Sequence, residues 1–180
     1  MTASWTFAVA RDDFGRTTIV ETAAPDPADG EVLLRVDRVG LTANNVTYAV
    51  LGDAMRYWQF FPPEPRGLDP SWGLPPVWGF AEVVASTVPA VAAGQRVYGY
   101  LPPAGHLVVR PDRVDASGFR DASGHRAALP SPYNAYRSTD GDPAYRPDNE
   151  DLLVLFRPLF VTSVMLADRI LDDDRYGATS

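Results

Sequence analysis

The sequence predicts a mainly β fold, a partly open barrel of short strands followed by one long C-terminal helix. Three observations carry this prediction. Residues 31–39, "EVLLRVDRV", put Val32, Leu34 and Val36 on one face and Arg35 and Asp37 on the other, the period-two pattern of a half-buried strand. Glycine-opened apolar stretches recur at 79–87, 95–100 and 106–110, rich in β-branched and aromatic residues. From Leu152 onward, Leu155, Phe156, Leu159, Val161, Leu166 and Ile170 return at helical spacing.

The other elements follow in chain order. "SWTFAVA" and "RTTIVET" flank "RDDFG", whose Asp-Asp-Phe-Gly turns the chain into a hairpin. "NNVTYAVLG" reads as a short helix that opens on asparagine caps and stops at Gly52. Residues 53–78 interleave Tyr57, Trp58, Phe60, Phe61, Trp72 and Trp78 with prolines and keep no period, which predicts a fixed aromatic excursion. Pro102 and Pro103 stop the strand at 95–100. Residues 115–149 are polar and rich in Gly, Ser, Pro and Asp, which predicts a long loop, either functional or poorly ordered. Asp148, Asn149, Glu150 and Asp151 then supply capping and acidic groups at the start of a helix over 151–172. Pro158 should kink or divide this helix, and Gly177 should cap its end. Consecutive Leu152 to Phe156 and Leu159 to Val161 make it apolar nearly all round, so it expects partners on several sides.

Composition removes whole classes of function. The net charge of -7 argues against a nucleic-acid binder, which needs a basic face, and disfavours an anionic membrane surface. There is no cysteine, hence no disulfide, thiol nucleophile or cysteine zinc site. All 16 basic residues are arginine, so no Schiff-base or phosphate-binding lysine exists. The start, "MTASWTFAVARDDFG", lacks the basic opening of a signal peptide, and Arg157 and Pro158 interrupt the longest apolar run. A soluble, cytoplasmic protein is expected.

"DGEVLLRVDRVGLTANNVTYAVLGD" resembles the "GEVLVRV…GVNPVD…RxG" stretch of the medium-chain dehydrogenase/reductase superfamily, and "PPVWGFAEVVASTVPAVAAGQRVYGY" is similar to its "P…GxEGaGvVxavG…GDrVyg" stretch. "AGHLVVRPDRV" looks like "AEYVVVPADRV". The three motifs stand in order over residues 31–114. They resemble the N-terminal, GroES-like domain, and the wording "ANNVTYA…WGFAEVVAS" is similar to the DUF2855 branch. Zinc-dependent members carry a Cys and a His-Glu pair where this chain has Thr42, Phe80 and Ala81, so the resemblance points to the zinc-free side. It implies NADPH as cofactor of the full-length enzyme, no zinc, and a following Rossmann domain. No G-x-G-x-x-G occurs in these residues, so the resemblance places that domain outside them and implies that the chain alone holds no cofactor tightly.

The implied division is a GroES-like β domain at 1–114, a polar loop or excursion at 115–149, and a helix at 150–180 leading towards the nucleotide-binding half. The implied function is the catalytic-side domain of a zinc-independent oxidoreductase acting on a small carbonyl, enone or quinone-like substrate, inactive alone. The alternatives are a stand-alone small-molecule or protein-binding module that keeps the fold without catalysis, or a structural domain whose aromatic patch serves a partner. Relatives place an Asn and a Tyr of the short helix against cofactor and substrate, and Asn44, Asn45 and Tyr48 match by residue type. Helix capping for the asparagines and a core edge for Tyr48 are the competing readings. Tyr57 and Trp58 are the best candidates to line a substrate pocket; the excursion could equally cover a sheet edge or an interdomain contact. His106 reads as a surface residue and His125 as a bland one. The helix at 151–172 is expected to drive self-association, with Leu153 and Phe160 on its exposed face.

Overall fold

The computed structural model describes residues 3–172. The expected hairpin is formed by β1 (Ala3–Ala10) and β2 (Thr17–Ala23), antiparallel from Ala3 opposite Ala23 to Val9 opposite Thr17. β3 (Val32–Gly40) follows, then the short helix α1 (Ala43–Val50). Beyond it the chain makes two 3-10 turns, at Tyr57–Phe60 and Glu64–Arg66, before the two-residue β4 (Trp72–Gly73). The long β5 (Val77–Ser86), β6 (Arg96–Leu101) and β7 (His106–Val109) are the three glycine-opened strands. β8 (Pro111–Asp115), β9 (Gly118–Asp121) and β10 (Ala135–Ser138) lead to the final helix α2 (Glu150–Asp172).

Two sheets result, ordered β2-β1-β4 and β7-β3-β5-β6-β10-β9-β8, with every pairing antiparallel. β1 joins them: Phe7 N donates to Pro103 O and Gly105 N to Trp5 O, both at 2.9 Å. Prolines at 102 and 103 end β6 and let the chain cross from one sheet to the other, giving the partly open barrel that the alternation predicted. Inside it, Val32, Leu34, Ala81, Val83, Val97 and Val109 are fully buried in one core. The alternating faces of β3 and β5 thus exclude water together, the term that dominates the stability of such a domain.

Four expectations are corrected. Thr42, and not an asparagine, occupies the N-cap of α1. Residues 115–149 are not one long loop: β9 and β10 extend the large sheet beyond β6, and a domain boundary at 114 would cut through it. The strands escape a reading of hydropathy because each has four residues and buries a polar one: Asp121 beside Phe119, and Ser138 beside Tyr136. Gly118, at φ +129°, permits the close pairing, since a Cβ there would lie 2.0 Å from Tyr136 O. Asp121 and Arg126, both about 1% exposed, form an ion pair at 3.1 Å beneath this segment.

Pro158 does not divide α2; the helix is continuous through it. Proline offers no N–H to the carbonyl four residues earlier. That carbonyl, Val154 O, lies against Gly40 of β3, where an added Cβ would come within 2.9 Å. The helix therefore packs its proline-relaxed turn onto a glycine. Finally, Leu153 is half-buried against Phe80 and Tyr98, so it does not belong to the exposed face, whereas Phe160 is 67% exposed. Gly177 lies outside the described residues.

Candidate functional site

The cap of α1 engages one candidate. Asn45 Oδ1 accepts from Thr42 N at 2.7 Å, and Asn45 Nδ2 donates to Pro76 O at 2.8 Å. Both ends of the Asn45 amide are thus engaged in pinning α1 to the segment before β5. Asn44 differs: its backbone N–H donates to Thr42 Oγ1 at 3.3 Å, while its side chain lines a crevice and has no hydrogen-bond partner among the described residues.

Tyr48 lines the same crevice. Its hydroxyl oxygen accepts from Trp78 Nε1–H at 3.2 Å, which leaves the phenolic hydrogen uncommitted. Burial, and secondly the neighbouring Tyr57, push the Tyr48 pKa up against the opposing pull of the Trp78 hydrogen bond. The group is therefore a proton-bearing donor at neutral pH. Across the crevice stand Val154, Leu155, Pro158 and Leu159 of α2. The space between them is about 10 Å3, no more than a single water needs.

Tyr57 and Trp58 part company. Tyr57 is buried behind Tyr48, edge-on to it at 4.9 Å and to Tyr133 at 6.0 Å, and supports the crevice without lining it. Trp58 lies elsewhere, in a small cluster with Val9 and Ala49. Its ring is clamped between two glycines: a Cβ at Gly52 would be 2.0 Å from Trp58 Nε1, and one at Gly73 2.6 Å from Trp58 Cε3. Trp58 is a packing residue, and Gly73→Ala is expected to cost about 1–3 kcal/mol by overpacking. Urea denaturation, read as a lowered midpoint at unchanged slope, checks it; an unchanged midpoint counts against this packing.

His106 is not a surface residue. It is 7% exposed, with Nδ1 3.0 Å from Ser4 Oγ, and its backbone carbonyl accepts from Arg66. It borders a second, larger cavity of about 470 Å3 that also contacts Arg66, Phe61, Leu107, His125 and Arg126. Sequence reasoning did not find this space. The signal available was Arg66 itself, a cation inside "FFPPEPRG", where the prolines fix the backbone and no carboxylate lies closer in the chain than Glu64. Among the described residues no group of three or more His, Cys, Asp or Glu could hold a metal ion. At the positions of the zinc ligands, Thr42 caps α1, and Phe80 and Ala81 are buried in β5.

Residues 39–180 match the family model described as "Protein of unknown function (DUF2855)", and the chain belongs to that family. This agrees with the resemblance read from the residues. No curated protein matches the chain. Among solved structures, the chain is similar to CurA from Vibrio vulnificus at 18% identity and TM-score 0.42, over 61% of this chain and 31% of that one. It is also similar to the ETR1P/NADP/crotonyl-CoA complex at 11% identity and TM-score 0.48, over 86% and 41%. An alcohol dehydrogenase superfamily protein from Novosphingobium aromaticivorans aligns at 20% identity and TM-score 0.37, over 72% and 36%. The chain thus spans 31–41% of the length of these structures.

Proposed function

We propose that this chain is the catalytic-side domain of a zinc-independent, NADPH-type oxidoreductase of the cytoplasm, acting on a small carbonyl, enone or quinone-like substrate and inactive alone. The observation that carries the reading is the crevice, in which the uncommitted Tyr48 hydroxyl and Asn44 amide face one space at the edge of the barrel. Asn45 holds α1 in place for them, and Tyr57 backs Tyr48. A carbonyl oxygen placed there would meet a phenolic O–H that stays protonated, and the Asn44 Nδ2–H as a second donor. Two fixed donors of this kind polarise a carbonyl and can stabilise negative charge developing on its oxygen.

The residues present do not fit a dinucleotide. A crevice of about 10 Å3 cannot admit one, and no glycine-rich strand-to-helix turn occurs to hold a pyrophosphate. Leu155 and Leu159 line the space from α2, so admitting more than a water requires these side chains to give way.

NMR titration of the 180-residue chain tests this reading. With Leu155→Ala/Leu159→Ala opening the crevice, 2-cyclohexenone is expected to shift the Asn44 side-chain amide and the Trp78 indole N–H. Adding Tyr48→Phe should weaken the effect, and NADPH should not saturate the chain at micromolar concentrations. Crevice resonances unmoved by the enone, or saturable micromolar NADPH binding, would overturn the proposal.

A further inference from the structure

The larger cavity lies apart from the crevice, and no residue lines both. Its walls come from the start of β1, the end of β2, the turn at Phe61–Arg66, β7, and the turn after β9. Three guanidinium groups border it. Arg110 is paired with Glu31 at 3.3 Å and Arg126 with Asp121 at 3.1 Å. Arg66 is different. Its partners are the neutral oxygens Thr6 Oγ1 at 3.2 Å and His106 O at 3.4 Å, and it pairs with no carboxylate among the described residues. Burial alone pushes its pKa down to about 10, with no anion to offset it. Arg126, which also borders the cavity, keeps an NH2 group without an acceptor.

A partly buried cation without a counter-charge is costly, and an acidic protein has carboxylates to spare for it. We propose that this cavity is a binding site for a small organic monocarboxylate, whose charged end meets Arg66 and whose apolar body lies on Phe61, Pro62, Pro65 and Leu107. The volume of about 470 Å3 suits a small molecule. With Arg110 and Arg126 already neutralised, the walls carry one uncompensated positive charge, which matches a monoanion. A dianion such as hydrogen phosphate would bring a second charge that the walls leave uncompensated, because Glu31 and Asp121 already neutralise Arg110 and Arg126. The aromatic and proline faces reward an apolar body that inorganic phosphate lacks.

Benzoate and butyrate serve as probes, followed by NMR through the backbone amides of His106, Val108 and Gly124. Benzoate is expected to shift these amides saturably, while its neutral isostere benzamide does not. Arg66→Gln should weaken benzoate by at least about tenfold. Gly124 offers a second variant that spares the fold, because a Cβ there meets nothing within 4 Å. Gly124→Asp, which adds a negative charge to the wall, should weaken benzoate, and Gly124→Asn should not. If Arg66→Gln unfolds the chain, the Gly124 pair decides. Failure of both carboxylates to saturate, equal affinity of the two Gly124 variants, or phosphate binding as tightly as benzoate would each overturn the proposal.

Discussion

Glu150→Gln is expected to destabilise the chain by about 3 kcal/mol, the cost of removing one partner from a buried ion pair. Glu150 is 4% exposed at the first turn of α2 and is the centre of a cluster. Arg96 grips it in fork geometry, with NH2 to Oε2 at 2.7 Å and Nε to Oε1, and turns its other edge to Asp37 at 2.9–3.0 Å. Arg38 Nε reaches Glu150 Oε2 at 3.2 Å, and Tyr145 O–H donates to Oε1 at 2.9 Å. Removing the carboxylate charge leaves Arg38, and Arg96 where it lies over the Phe80 ring, facing a neutral amide. Asp151→Asn is the internal control, for Asp151 bonds the same Arg38 from a position 82% exposed, where a pair is worth at most about 1 kcal/mol. Urea midpoints of the two variants should differ accordingly; equal midpoints would show that the cluster does not hold the helix.

The same cluster predicts an acid limit. Burial pushes the Glu150 carboxyl up, but hydrogen bonds from Arg96 and Tyr145, with the charges of Arg96 and Arg38, hold its pKa below the ordinary value of 4.5. A depressed carboxylate stabilises fully above its unfolded pKa, and the contribution is lost as pH falls through the folded value. The stability gap between the wild-type chain and Glu150→Gln should therefore be constant above pH 4.5 and shrink in more acidic solution.

What the sequence made legible tracks how each residue is used. β3 and β5 to β7 were readable because their buried positions are apolar and their exposed positions polar, as in Leu34 against Arg35. β9 and β10 were not, because Asp121 and Ser138 face inward and are satisfied locally: Asp121 Oδ1 accepts from Ser123 N at 2.9 Å, and Ser138 Oγ accepts from Asp140 N at 3.1 Å. Burial that is paired reads as exposure in a hydropathy pattern. At the crevice, residue type located Asn44, Asn45 and Tyr48 on one short helix. It could not separate Asn44 from Asn45, since that distinction rests on Pro76 O, 31 residues away in the chain. Trp58 shows the converse: a large aromatic among prolines suggests a pocket wall, yet Gly52 and Gly73 shape a packed slot for it.

The chain is expected to self-associate through α2. Val154 faces the barrel at 5% exposure, but Leu152, Phe156, Leu159 and Phe160 are 59%, 60%, 47% and 67% exposed, and Val164, Met165 and Leu166 continue the apolar surface. Spacings of three and four place the first of these on one stripe, the seam along which two helices pack. A contiguous apolar stripe of this extent on a protein surface favours contact with another such surface, and a second copy of the chain always carries one. Charge does not oppose the contact strongly, because Arg157, the cation within this stretch, turns away to pair with Asp142 and to cover the Tyr98 ring at 4.9 Å. Phe156→Glu/Phe160→Glu should therefore yield a monomer by sedimentation at tens of micromolar protein, where the unmodified chain is dimeric or larger. Leu153→Glu should behave differently. That side chain packs beside Phe80 and Tyr98, so its replacement should lower stability and leave association in place. An unmodified chain that sediments as a monomer, or association that persists in Phe156→Glu/Phe160→Glu, would remove α2 as the contact.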